Sequence, residues 1–195
     1  MARKIPKYEF KPDPIGPAPL KGFYLTPRQR QQILKWSLYT AMVLCALVVQ
    51  DTMLGRIRFC GATTDLAVCV IMLIGVMEGA ETGGIFSLCA AIVYYFSGSA
   101  PGAYVIVMIT GIAVAAALFR QSYWSQGLST AVLCTGLAMV CYELLLLVIG
   151  IIMDLTRWNR LGVFLLTALL SAALVIPMYP VAQAIGKIGG DPWKE

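Results

Sequence analysis

The 195-residue sequence is 59% hydrophobic and only 13% charged, with a mean hydropathy of +0.77. A water-soluble domain of this size needs far more charge on its surface, and long uncharged stretches of the kind that supply the roughly 20 mainly apolar residues of a transmembrane helix recur along most of the chain. The net charge of +5 does not point to nucleic acid, because eight of the fifteen Lys and Arg residues precede Trp36, the pattern of a juxtamembrane tail drawn to anionic lipid.

In chain order, residues 1–32 form a basic, proline-rich tail containing Pro6, Pro12, Pro14, Pro17, Pro19 and Pro27. Proline removes backbone donors and disfavours helix, so this segment is expected to be extended or disordered. Its charged region is too long for a cleavable signal peptide, and no small-residue cleavage site follows the first apolar run. The first span is expected over 33–49, ending at Gln50 and Asp51, and is followed by a loop with Arg56 and Arg58. Two shorter apolar stretches, 63–77 and 83–96, flank Glu78-Gly79-Ala80-Glu81-Thr82. They read either as two short spans with a tight turn or as a re-entrant hairpin, which survives only where protein shields its backbone.

Gly98-Ser99-Ala100-Pro101-Gly102 is a breaker cluster that separates these stretches from a fourth span over 103–119. A polar turn over 120–126, a fifth span over 127–153, a loop over 154–160 and a last span over 161–176 follow. Pro177 and Pro180 are expected to close the last span, with Gly186, Gly189 and Gly190 marking a flexible end. The expectation is an all-α, polytopic transmembrane bundle of about six helices, with one membrane domain over 33–180 and a C-terminal segment over 181–195. Assigned to alternating sides, basic residues divide eleven to four, which puts both termini in the cytoplasm by the positive-inside rule.

Glu143 is the most unusual residue, near the middle of the fifth span. A central acidic residue costs roughly 2.5–3.5 kcal/mol on insertion scales, and neighbouring leucines offset much of that. Its carboxylate should face protein, either as a ligand, proton or partner site or in a buried hydrogen bond to a Tyr, Ser or Thr of another helix. Asp65, behind Thr63 and Thr64, suits the first turn of a helix, where an acid interacts with the dipole and a threonine can cap. Glu78 and Glu81 lie in a turn and are expected to be solvated.

Gly75, Gly79 and Gly83 recur every four residues and, if helical, form a smooth stripe for close packing within the bundle or against a partner. Gly127, Ala131 and Thr135, and Gly111 and Ala115, repeat the pattern. The chain has no histidine, and its six cysteines form no CxxC pair. Zinc ligation and a disulfide framework are therefore not indicated. HExxH, Walker and GxSxG patterns are absent as well, so neither catalysis nor a cofactor is expected.

Over roughly residues 33–190 the chain resembles the bacterial rod shape-determining protein family MreD, clostridial type. The likeness runs through Thr64-Asp65-Leu66, Glu78-Gly79, Gly83-Gly84, Ser99-Ala100-Pro101-Gly102, Tyr179-Pro180 and Ile185-Gly186. Thr64 stands where the family usually has proline, and Tyr94-Tyr95 near a position where many members carry aspartate. The resemblance implies a non-enzymatic scaffold in the inner membrane, acting in cell-wall elongation. Its implied partners are an MreC-like protein, a class B penicillin-binding protein, a RodA-like glycosyltransferase and the MreB filament. The family's bundle is similar to the substrate-binding subunits of energy-coupling-factor vitamin transporters, so a small-molecule transporter subunit is the alternative.

Overall fold

The computed structural model describes residues 27–56, 61–123 and 127–189. Among these residues there are seven α-helices and no strands: α1 (Pro27–Thr52), α2 (Leu66–Glu78), α3 (Ala80–Phe96), α4 (Tyr104–Tyr123), α5 (Leu128–Ile152), α6 (Leu161–Ala173) and α7 (Val175–Gly186). Three of them, α1, α4 and α5, are long and apolar enough to cross a bilayer, and a fourth crossing results if the bent pair α6–α7 is counted as one. Most of the expected tail and the loop bearing Arg58 and Cys60 lie outside the described residues, as do positions 124–126 and 190–195.

The architecture is built around α2. Its sequence is apolar on every side, and the side chains from Ala67 to Ile74 have no exposed surface. A helix apolar all round belongs inside a bundle, and α2 packs against each of the other six. At 13 residues and a rise of 1.5 Å per residue it is only about 20 Å long. The outer helices show the opposite pattern, with large apolar side chains pointing outward: Ile85 is 68% exposed, Val107 75% and Leu137 56%. An apolar exterior around an already apolar centre is unsuited to water.

The α2–α3 connection is a one-residue break at Gly79, whose φ of 91° and ψ of 173° suit glycine because it lacks a Cβ. The expected continuous stripe through Gly75, Gly79 and Gly83 is therefore not formed. The break folds the segment into a hairpin in which Gly75 and Gly83 meet face to face. A Cβ on Gly83 would collide with the Gly75 carbonyl, and one on Gly75 would lie 2.7 Å from Ser87 Oγ. Gly127 caps α5, and Ala131 and Thr135 are buried as packing residues. Gly111 and Ala115 instead lie on the outward face of α4, with nothing near the Gly111 Cα.

Helix boundaries also depart from expectation. α1 starts at Pro27 rather than after residue 32, and proline is well suited to a first helical position because its missing donor is unneeded there. Arg120 belongs to α4, not to a polar turn. Pro177 and Pro180 do not close the last span: both lie within α7. Pro177 is instead placed to bend it. Proline lacks a donor and clashes with the carbonyl four residues back, which for Pro177 is Ala173, the last residue of α6. The two helices meet there at 43°. The expected flexible end is helical through Gly186, and the following turn, Lys187–Gly189, packs on α1.

Candidate functional site

The bundle has two unlike ends. At one end the start of α1, the α2–α3 turn, the end of α4 and the end of α7 come together. Lys35 Nζ donates to Glu78 Oε2 at 2.6 Å, and Tyr39 Oη donates to Glu78 Oε1 at 2.7 Å. The Tyr39 hydroxyl also lies 3.4 Å from the Ala182 carbonyl, and Gly186 leaves room for it. Glu78 is thus not solvated as the turn position suggested; it is buried in an ion pair, whereas Glu81 is exposed. Arg120, buried as well, donates from Nη1 to the Val76 carbonyl at 3.0 Å. The last carbonyls of a helix lack intrahelical partners and carry partial negative charge. Lys35 and Arg120 bring two cations to that end of α2, and Trp36 and Phe86 stack beside it with ring centroids 5.6 Å apart. This end is closed.

At the other end the last turns of α1, the start of α2, the α3–α4 link, the second half of α5 and the start of α6 converge. Asp65 occupies the cap position of α2, but its side chain makes no capping bond, and the Thr64 hydroxyl is buried without a partner among the described residues. The capping falls to Gln50, which sequence reading treated only as the end of a span. Its Oε1 accepts from Ala67 N at 2.8 Å, and its Nε2 lies 3.5 Å from Asp65 Oδ1. Asp65 N donates to Ser171 Oγ at 2.9 Å, and Cys69 Sγ donates to the Ser171 carbonyl at 3.2 Å. Ser171 lies just before the α6–α7 bend, so the bend anchors the head of α2. No sequence signal pairs Gln50 and Ser171 with α2, because both contacts join segments distant in the chain.

Above that head lies a cavity of about 270 Å³, lined by Asp65, Tyr94, Tyr142, Glu143, Thr167 and Arg160 among others. A second, more open pocket of about 390 Å³ adjoins it through Thr63, Asp65 and Ser99 and takes in Gln50 and Asp51. Glu143, the sixteenth of the 25 residues of α5, forms the deep part of the cavity, with only 2% of its surface exposed. It faces protein, as an acid in an apolar helix must. The expected hydrogen bond is missing at Oε1, which has no partner among the described residues, and the Tyr142 hydroxyl is likewise buried without one. Tyr94 Oη donates to the Ser99 carbonyl at 3.4 Å, and Ser99 Oγ donates to Asp51 Oδ1 at 3.0 Å.

The structure therefore divides the candidate residues. Asp65 and Glu143 line one cavity; Glu78 and Pro180 belong to the closed end and the bent helix. Gly75, Gly79 and Gly83 build the hairpin. Gly102 packs against the Tyr104 ring, which a Cβ would approach to 2.5 Å. Among the described residues no group of three or more His, Cys, Asp or Glu could hold a metal ion, and the five described cysteines are free. No protein-family model, curated protein or solved structure matches the chain.

Proposed function

We propose that this chain is a multi-pass scaffold of the bacterial inner membrane, MreD-like, that works in lateral cell-wall elongation without catalytic turnover. One observation carries the reading. The residues behind the resemblance occupy the joints of the enclosed helix: Asp65 at its head, Glu78 and Gly79 at its foot, Gly83 in its hairpin contact, and Tyr179 and Gly186 in the helix that covers its foot. The remaining motif, Ser99-Ala100-Pro101-Gly102, forms the α3–α4 link, and a likeness carried by joints and links is what a shared bundle requires. On this reading α2 and α3 are two short crossings, α6–α7 is one bent crossing, and the chain passes the bilayer six times with both termini in the cytoplasm. The closed end then faces the cytoplasm and the cavity faces outward. The eleven-to-four division of basic residues supports that orientation. Its partners are an MreC-like protein, a class B penicillin-binding protein, a RodA-like glycosyltransferase and, through these, the MreB filament.

Depletion in the source bacterium tests the reading: cells should round or widen, and affinity capture from membranes should recover the MreC-like protein. Normal cell shape after depletion, with no such protein recovered, overturns it. One observation favours a second reading, a small-molecule transporter subunit. The cavity gathers two carboxylates and several hydroxyls at one mouth, which a pure scaffold does not need. Co-purification with an ATPase pair, together with uptake lost on depletion, would select that reading.

A further inference from the structure

We propose that the outward cavity is a binding site for a small organic cation bearing a primary ammonium group, held between Glu143 and Asp65. The inference goes beyond both readings above, since either a scaffold or a transporter subunit could carry such a site.

The argument starts from Glu143. Its carboxylate is almost wholly enclosed, yet Oε1 has no partner among the described residues. An ionised carboxylate buried without a partner is costly, and a cation entering the cavity would supply that partner. Asp65 lines the same cavity from the head of α2, and its nearest side-chain donor, Gln50 Nε2, lies at the limit of hydrogen-bond distance, 3.5 Å. The buried Tyr142 hydroxyl and Thr167 complete the lining. Every one of these groups accepts hydrogen bonds, and the two acids add negative charge. The described cation among them is Arg160, exposed at the mouth.

That lining selects the ligand class. A primary ammonium has three donors and one positive charge, matched to two carboxylates and hydroxyls. A quaternary ammonium has no donor to offer, and the wall that would favour it is an aromatic cage rather than paired acids. At about 270 Å³ the cavity lies just below the roughly 300–1,000 Å³ of drug-sized ligand sites, which suits a small amine. The adjoining pocket past Thr63 and Ser99 provides the way in.

The test uses the purified full-length protein in lipid nanodiscs, with ethylammonium as probe and tetramethylammonium and sodium as controls at equal ionic strength. Thermal stabilisation against concentration gives the affinity. Ethylammonium should stabilise saturably and the controls should not. Glu143→Gln and Asp65→Asn should each weaken binding about tenfold or more, the usual loss with a charged hydrogen-bond partner. Arg160→Gln should tighten it a few-fold by removing a like charge at the mouth. No saturable response to ethylammonium, an equal response to tetramethylammonium or sodium, or unchanged affinity in Glu143→Gln overturns the proposal. Should Glu143→Gln fail to fold, unchanged affinity in Asp65→Asn and Arg160→Gln overturns it equally. Cell shape is scored separately. A Glu143→Gln strain that loses binding and keeps its shape leaves the scaffold reading standing, whereas rounding without any ethylammonium site removes only the present proposal.

Discussion

Replacing Lys35 by methionine removes the cation facing Glu78 while keeping most of the side chain's length. The two charges are 2.6 Å apart, with side chains 7% and 5% exposed. At an effective dielectric of about 20 that separation gives a gross attraction of about 6 kcal/mol. Most of it offsets the cost of taking both ions out of water, so the pair itself adds little net stability. Removing one partner is different, because it leaves a buried charge uncompensated and typically costs about 3–5 kcal/mol. Tyr39 still donates to the carboxylate at 2.7 Å, which puts the expected loss for Lys35→Met near the lower bound, about 3 kcal/mol. The double variant Lys35→Met/Glu78→Met removes both charges and should recover to within about 1 kcal/mol of wild type. Equilibrium unfolding in lipid–detergent micelles measures all of these, with Glu78→Met completing the cycle. A Lys35→Met variant within about 0.5 kcal/mol of wild type would refute the reasoning, since that is the behaviour of a solvated surface pair.

Four further outcomes follow from the same geometry. Gly83→Ala should destabilise by about 2 kcal/mol or more, because backbone meets backbone at Gly75 and cannot yield as a side chain would; Gly111→Ala, with open space around it, should change unfolding by less than about 0.5 kcal/mol. Gln50→Ala should cost about 1–2 kcal/mol by stripping Ala67 N of its acceptor, and Gln50→Glu should not restore it at neutral pH, because its second oxygen would face Asp65 Oδ1 where Nε2 now lies at 3.5 Å. Cysteine labelling at Gly190 and at Asn159 should report opposite faces of the membrane; labelling of both from one side contradicts six crossings. Glu143→Leu should leave the purified protein at least as stable as wild type, because it removes a buried carboxylate with no partner at Oε1; a large loss of stability would mean that Glu143 holds the bundle together.

Much of the helical framework is legible in composition and breaker residues. Gly98 and Gly102 bracket the α3–α4 link, and α5 occupies residues 128–152 against an expected 127–153. These features are local. The failures come from contacts between distant segments or from backbone geometry. Glu78 reads as a turn residue until α1 brings Lys35 and Tyr39 to it from about forty positions away. A four-residue glycine spacing promises a helical face, but the positive φ of Gly79 converts it into a hairpin contact. Pro180 reads as a terminator because proline cannot bond back to the preceding turn. In an enclosed bundle the rest of α7 stays helical by packing, with Tyr179, Ala182 and Ile185 buried. Glu143 stands out because charge within an apolar run is rare. That it shares a cavity with Asp65 requires the fold.

The two ends of α2 treat their buried charges differently. At the closed end each described buried charge has a counterpart: Lys35 with Glu78, and Arg120 with a terminal carbonyl. At the head of α2 the backbone donors are also provided for, by Gln50 and Ser171. Asp65 near the positive end of the helix dipole is well placed electrostatically. Glu143 lies inside α5, away from either helix terminus, and the one described cation lining its cavity, Arg160, is exposed at the mouth. Leucine at that position would satisfy the same helix and the same packing, as its four successors Leu144 to Leu147 do. Other buried hydroxyls lack partners too, among them Ser87 and Thr135, but an unpaired hydroxyl costs far less than an unpaired carboxylate. Of the described buried acidic and basic side chains, Lys35, Glu78 and Arg120 have partners and Glu143 Oε1 has none among the described residues, and Glu143 opens onto the cavity. On the proposed reading, the partner that Glu143 lacks within the bundle is a cation that enters the cavity.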